Sequence, residues 1–194
     1  MNAWAELRDA RLEDERVLLR PLTASDRAQV HAIAFDEEIW RYFPSRVDSE
    51  AAFERFFARA LEEQAAGTRV VFAVVDKALD RVAGSMSYGN LAEAELRIEI
   101  GWSWLGAAWR GSGLNTHAKR LLLRHAFERL GCERVEFKTD ILNARARKGL
   151  EKIGATCEGV FRSYNFMPGG RRRDAIWYSI IKAEWPSVKA RLWT

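Results

Sequence analysis

The chain predicts a mixed α/β domain. Three observations carry that reading. The elements run strand, two helices, three strands, helix, strand, helix, two strands. The segment ELRIEIGWSWL (95–105) alternates between apolar and polar residues, the period of a strand with one face buried. A glycine-rich stretch, Arg110-Gly111-Ser112-Gly113, opens a long amphipathic helix.

Taken in order, VLLR (17–20) reads as a short strand stopped by Pro21. Thr23 and Asp26 form a capping-box-like start for a helix to about Phe35, and a loop containing IWRYFP follows. Asp48 or Ser49 caps a second helix, with Phe53, Phe56, Phe57, Ala60 and Leu61 on one side and Gly67 at its end. RVVFAVVD (69–76) and RVAGSMSY (81–88) read as a hairpin across KALD. In the next strand Leu96, Ile98, Ile100, Trp102 and Trp104 are expected on one face, with Glu95, Arg97, Glu99 and Ser103 on the other. The helix after the glycines buries Leu114, Ala118, Leu121, Leu122, Ala126 and Leu130. RVEFKTD (134–140) is a strand, and a helix from about Ala144 to Ile153 ends at Gly154. CEGVFRSYNF and RRDAIWYSII then pair across MPGGR.

Composition excludes several classes. The 194 residues are 48% hydrophobic, with no repeat or linker, which suits one domain over 1–194. No apolar run approaches the ~18 residues of a membrane span, so no membrane partner is expected. The charged start MNAWAELRDARLEDER lacks the core of an export signal. Cys132 and Cys157 match neither a disulfide scaffold nor a CxxC pair, which predicts small buried thiols in a reduced, cytoplasmic setting. The net charge of +4 permits an anionic ligand without demanding nucleic acid. His117 and His125 lie eight apart with no third ligand in view, so no metal is expected and both read as solvated. Arg171, Arg172 and Arg173 read as a solvated hairpin tip.

The loop at 110–115 fails two phosphate motifs. GxGxxG needs glycine where Thr116 stands, and GK[ST] is absent. Its glycines either turn backbone amides toward an anion at the helix start or only shape the turn. Arg110, Gly111, Ser112, Gly113 and Leu114 match the pattern [Q/R]xxGx[G/A], and Asn115 departs from its last position. EIGWSWL precedes the loop; KTDILNARARKGLEKIGA, EGVFR and GRRRDAIWYSI follow it. In these stretches, over residues 14–186, the chain resembles the GNAT acetyltransferase superfamily, in particular the branch of ribosomal-protein N-terminal acetyltransferases.

That resemblance implies one domain with a mixed, mostly antiparallel central sheet flanked by helices. It implies an N-acetyltransferase using acetyl-CoA and no metal to acetylate a primary amine, on a protein N-terminus or a small molecule, and a possible homodimer. Arg110, Gly111, Ser112, Gly113, Leu114, Asn115 and Asn143 would hold the coenzyme, and Trp102, Ser103 and Trp104 would offer backbone groups to its arm. Read from the residues alone, Asn143 is the N-cap of the helix it precedes, a role that can coexist with the contact, and the Trp102 and Trp104 rings read as core. Trp40 and Tyr42 lie in the inter-helix loop that borders the acceptor in relatives, and core packing explains these aromatics equally well. Glu99 would be the general base, with Glu95 and Asp174 as competitors and a structural ion pair with Arg97 or another arginine as the alternative. Two family acid positions are vacated: Leu150 stands for a tyrosine and Ala146 for a serine, leaving Tyr164 and Tyr178 as phenols. Those gaps keep open a non-catalytic acyl-CoA-binding module.

Overall fold

The run Val70–Asp76 (β3) is buried at every position, the signature of a strand covered on both faces. Val70, Phe72 and Val74 point into one hydrophobic cluster, and Val71, Ala73 and Val75 into a second. The computed structural model describes residues 3–193. Around β3, eight strands form one sheet in the order β1-β2-β3-β4-β5-β6-β8-β7. They are β1 Leu12–Glu13, β2 Val17–Pro21, β4 Arg81–Ala92, β5 Arg97–Leu105, β6 Arg134–Asp140, β7 Thr156–Phe166 and β8 Arg172–Ile181. Neighbouring strands are antiparallel except β5 and β6, which run parallel.

Among the described residues, six α-helices flank the sheet: α1 Arg27–Ala34, α2 Glu37–Trp40, α3 Glu50–Ala65, α4 Leu114–Arg124, α5 Ala144–Lys152 and α6 Trp185–Leu192. Leu114, Leu121, Leu150 and Val188 from α4, α5 and α6 join Ile98, Phe137 and Ile176 in the first cluster. Val30, Trp40, Phe53 and Phe57 from α1, α2 and α3 join Val71, Val82 and Trp104 in the second. That second cluster contains no residue of β6, β7 or β8, so on the α1–α3 side the far half of the sheet carries no such apolar cover.

Several local expectations need correction. The loop containing IWRYFP holds the one-turn α2, capped by the Asp36 carboxylate accepting from the Glu38 amide at 3.0 Å. Of the two candidate caps for α3, Ser49 is the one used, accepting from the Ala52 amide. The two-residue β1 and α6 were not read from the sequence. Trp185, Val188 and Leu192 supply α6 with a buried stripe. A π-helical turn, His125–Arg129, extends α4. Cys132 is buried as expected, whereas Cys157 is exposed because β7 is the sheet's edge. No helix among the described residues is long and apolar enough to cross a membrane.

The alternation along β5 also breaks. Ser85 pairs with Trp104 and Ser87 with Gly101, so three steps on β5 match two on β4. This bulge holds Trp102 at φ +50° and flips Trp104 into the second cluster, away from Ile98 and Ile100. Gly84 lies against this segment, and a Cβ there would run into the Trp104 carbonyl oxygen. Gly84→Ala is therefore expected to lower unfolding free energy by about 1–3 kcal/mol or more, read by urea denaturation, whereas Gly111→Ala meets no neighbouring atom and loses stability only through its left-handed backbone.

Candidate active site

The parallel ladder between β5 and β6 is short. It pairs Arg97 with Arg134, Ile98 with Val135 and Glu99 with Glu136, and then ends. Beyond Glu99 the strands part around a cavity of about 830 Å³. Gly101 to Leu105 line it from β5, and Phe137, Lys138 and Thr139 from β6. Successive strand residues point to opposite faces, so a cavity lined by both Phe137 and Lys138 reaches both sides of the split sheet. One side presents α4 and α5, the other α2 with the segment after it and the strands β7 and β8.

The turn that heads α4 is tied down from three directions. Trp109 Nε1 donates to Asp76 at the end of β3 at 2.8 Å. Arg110 is paired with Asp36 ahead of α2, and Arg16 donates to the Ser112 carbonyl at 3.1 Å. Gly111 and Gly113 have φ of +81° and +92°, backbone that an L side chain rarely adopts. The amides of the turn alternate in use. Ser112 N bonds the Trp109 carbonyl and Leu114 N bonds Ser112 Oγ, both at 3.3 Å. The amides of Gly111, Gly113 and Asn115 have no partner among the described residues, and all three residues line the cavity. Unbonded amides at the head of an eleven-residue helix suit an anion.

One helical turn after Asn115, Lys119 also lines the cavity. It is 8% exposed, has no ion pair or hydrogen bond among the described residues, and burial pulls its ammonium pKa down to about 8. Arg145 and Lys152 of α5 add two further cations to the lining.

Glu99 is 3% exposed and lines the cavity. Its carboxylate accepts from Asn90 and lies 3.5 Å from Lys138 Nζ. Burial raises its pKa above the ordinary carboxylate value, with Lys138 pulling the other way. Arg97, the expected ion-pair alternative, pairs with Glu136 instead at 3.0 Å. Neither competitor lines the cavity: Glu95 lies in a 3-10 turn before β5, and Asp174 accepts from the Ser163 amide.

The remaining expected residues divide. Trp102, Ser103, Trp104, Arg110, Tyr42 and Asn143 line the cavity, and Asn143 also caps α5 by accepting from Ala146 N at 3.0 Å. Trp40 does not line it; its indole is buried, donates to the Ala34 carbonyl and packs 5.7 Å from Trp104. Leu114 is core, and Ser112 Oγ points back to the Trp109 carbonyl. Tyr164 lines the cavity, whereas Tyr178 is buried against Arg147 and Glu151.

Neither His117 nor His125 is a solvated side chain. His117 contacts Asp14 at 2.7 Å, and the burial of His125 lowers its pKa to about 4. Asp14, Glu15 and His117 are the one group of potential metal ligands among the described residues, and Asp14 already accepts from the amides of Arg16 and Val17. Of the three arginines, Arg171 and Arg172 are exposed as expected, although Arg171 pairs with buried Asp140 and Arg172 bonds Ser163. Arg173 departs from the expectation: it is 5% exposed and lines the cavity. Lys119, Lys138 and Arg173 were missed as site residues. Period-2 reading puts Lys138 on the polar face of β6, but only the register of β5 and β6 brings it to Glu99.

Residues 16–156 match the Acetyltransferase (GNAT) domain family, and the chain belongs to it. Among curated relatives, the "Putative ribosomal N-acetyltransferase YdaF" of Bacillus subtilis is 33% identical over 56% of this chain and 58% of its own length. The "Uncharacterized N-acetyltransferase YoaA" of the same organism is 26% identical over 88% of this chain and 96% of its own. Among solved structures, a GCN5-related N-acetyltransferase from Brucella melitensis superposes with a TM-score of 0.88 at 27% identity, covering 95% of this chain and 84% of that one. The chain is thus a GNAT N-acetyltransferase, of a family whose cosubstrate is acetyl-CoA.

The unbonded amides at 111, 113 and 115, with unpartnered Lys119, fit a diphosphate-bearing group. A lysine whose folded pKa of about 8 lies below its ordinary ~10.4 costs stability below pH 8, and the cost is relieved as pH rises toward 10.4. Lys119→Met is therefore expected to raise Tm at pH 7, by an increment that fades by pH ~10, while weakening CoA binding about tenfold or more. Wild-type affinity for CoA should fall as pH passes above about 8, where the ammonium is lost. Calorimetric titration giving equal Kd for both proteins would remove Lys119 from the anion site.

Proposed function

We propose that the chain is an acetyl-CoA-dependent transferase acting on a primary amine, through the residues of the split between β5 and β6. One observation carries the proposal: the three residues with unbonded amides at the head of α4 line the same cavity as a buried carboxylate, Glu99, whose pKa burial raises. Gly111, Gly113, Asn115 and Lys119 hold the phosphates. The β6-facing backbone edge of Gly101 to Trp104, freed where the ladder ends, orients the arm. Bound acetyl-CoA supplies the thioester carbonyl.

Glu99 takes the proton of the incoming ammonium. An α-amino group of pKa ~7.7–8.0 loses that proton at pH 7 for about 1 kcal/mol, and a lysine of pKa ~10.4 for about 4.6 kcal/mol, so the base matters more for lysine. Burial that raises the pKa of Glu99 brings it nearer that of the amine, which favours proton transfer. Ala146 and Leu150 line the cavity from α5, and neither side chain can donate a proton. With a thiol pKa of ~8.5, departure without a protein acid costs little, and Tyr164 is the phenol that lines the cavity. Absence of a family acid therefore does not require a non-catalytic module.

The acceptor is a protein N-terminus or a small amine. Similarity to YdaF, described as a ribosomal N-acetyltransferase, supports a ribosomal protein, and the lower deprotonation cost of an α-amine supports an N-terminus. Glu99→Gln is expected to lower kcat by about 10²-fold, within the usual range for a general base, and to leave the Kd for CoA unchanged. In the wild type the rate should climb as pH rises through a pKa above the ordinary carboxylate range, and this limb should vanish in the variant. Thiol release from acetyl-CoA measures both. An unchanged pH profile would remove Glu99 as the base.

A further inference from the structure

The chemistry of the acceptor can be taken further, on the transferase reading above. Alternation along β5, β6 and β8 puts Glu99, Lys138 and Arg173 on one face of the sheet, opposite Ile98, Phe137 and Ile176. The amides at 111, 113 and 115 head α4, which packs on the other face. This second charged group is therefore separate from the anion site of the turn.

Arg173 is the unusual member. It is 5% exposed, it lines the cavity, and its buried Nε has no partner. Its guanidinium donates no hydrogen bond to any described residue, although it cannot shed its proton. The two acids whose charge it feels are already engaged. Asp140 accepts from the Leu142 amide at 3.0 Å and pairs with Arg171; Glu99 accepts from Asn90 and faces Lys138. Lys138 lies beside this group, its ammonium 5.2 Å from the Trp177 ring and 5.4 Å from the Tyr164 ring. Two cations thus face Glu99 on the wall that receives the acceptor; the other carboxylate in the lining, Glu38 of α2, is exposed and paired with Arg41. A buried guanidinium with five donors and no acceptor is costly unless a ligand brings one, and a planar carboxylate matches its fork.

We infer that the acceptor is an amine carrying a carboxylate a few bonds away, and that Arg173, with Lys138 beside it, receives that carboxylate while Glu99 faces the amine. The carboxylate comes either from a small amino acid or from an acidic side chain next to a peptide N-terminus. The amine then lies between its base and a positive anchor, which fixes its orientation without contact to the rest of the acceptor.

The test uses matched acceptors: glycine against methylamine, β-alanine against propylamine, and the peptide amides Ser-Asp-Gly against Ser-Asn-Gly. The wild type should favour the carboxylate-bearing member of a pair by at least tenfold in kcat/KM. The pair showing that ratio identifies the source of the carboxylate. Arg173→Gln should collapse the ratio to within about twofold while the Kd for CoA stays the same. Arg173→Met, which removes the buried charge, should do likewise and covers the case in which the glutamine variant fails to fold.

Binding supplies a readout apart from turnover. With CoA present, N-acetyl-β-alanine should bind the wild type at least tenfold more tightly than either variant, and N-propylacetamide should not distinguish them. If no amine is acetylated but this difference in binding remains, the transferase reading fails and the carboxylate site stands. Equal acceptor ratios and equal binding in wild type and variants would overturn the inference. So would a loss of CoA affinity in the Arg173 variants, which would place the guanidinium on the coenzyme.

Discussion

The site depends on a ladder that stops early. Two parallel strands, β5 and β6, bond for three residue pairs and then separate, leaving a cavity in the middle of the sheet. A sheet with a complete ladder there would have buried those backbone groups against each other. The bulge at Gly101 to Trp104 belongs to the same device. It inserts one residue, turns Trp102 to a left-handed backbone and sends Trp104 into the α1–α3 core. The tryptophan cluster with Trp40 and Phe56 then anchors the β5 wall of the cavity.

The turn before α4 is held just as firmly. Trp109 on Asp76, Arg110 against Asp36 and Arg16 on Ser112 join it to β3, to the approach to α2 and to the segment before β2. With its alternate amides spent internally, the turn presents the others without needing to reorganise. Preorganised donors of this kind cost little at the moment of binding. The charges around the cavity show the opposite economy. Lys119 and Arg173 are buried without hydrogen-bond partners, and such groups lower the stability of the unliganded fold. Both lie on the cavity wall, one on each side of the split sheet.

Much of this was legible before the fold was known. The period-2 runs gave the central strands, and Ser49, Asn143, Gly67 and Gly154 marked helix ends where the structure has them. The glycines at 111 and 113 identified the turn because only a turn needs two such residues beside a helix start. What stayed hidden depends on register or on contacts distant in sequence. The flip of Trp104 follows from a bulge that alternation alone does not signal. For Trp40 the resemblance offered a place beside the acceptor and packing a place in the core, and one sequence cannot choose between a buried aromatic and an exposed one. Arg173 looked like part of a solvated run, and only the pairing of β8 with β6 carries it to the cavity. Lys119 reads as an ordinary polar helix residue until the cavity is seen. The short helices α2 and α6 owe their existence to packing, through Ile39 and Trp40 in one case and Trp185 and Val188 in the other.

The most direct measurement is a crystal structure grown with CoA. The amides of Gly111, Gly113 and Asn115 should each lie about 2.7–3.2 Å from a diphosphate oxygen, with the pantetheine chain running between β5 and β6 toward Glu99. A coenzyme whose diphosphate bound elsewhere, with those three amides facing only water, would contradict the account.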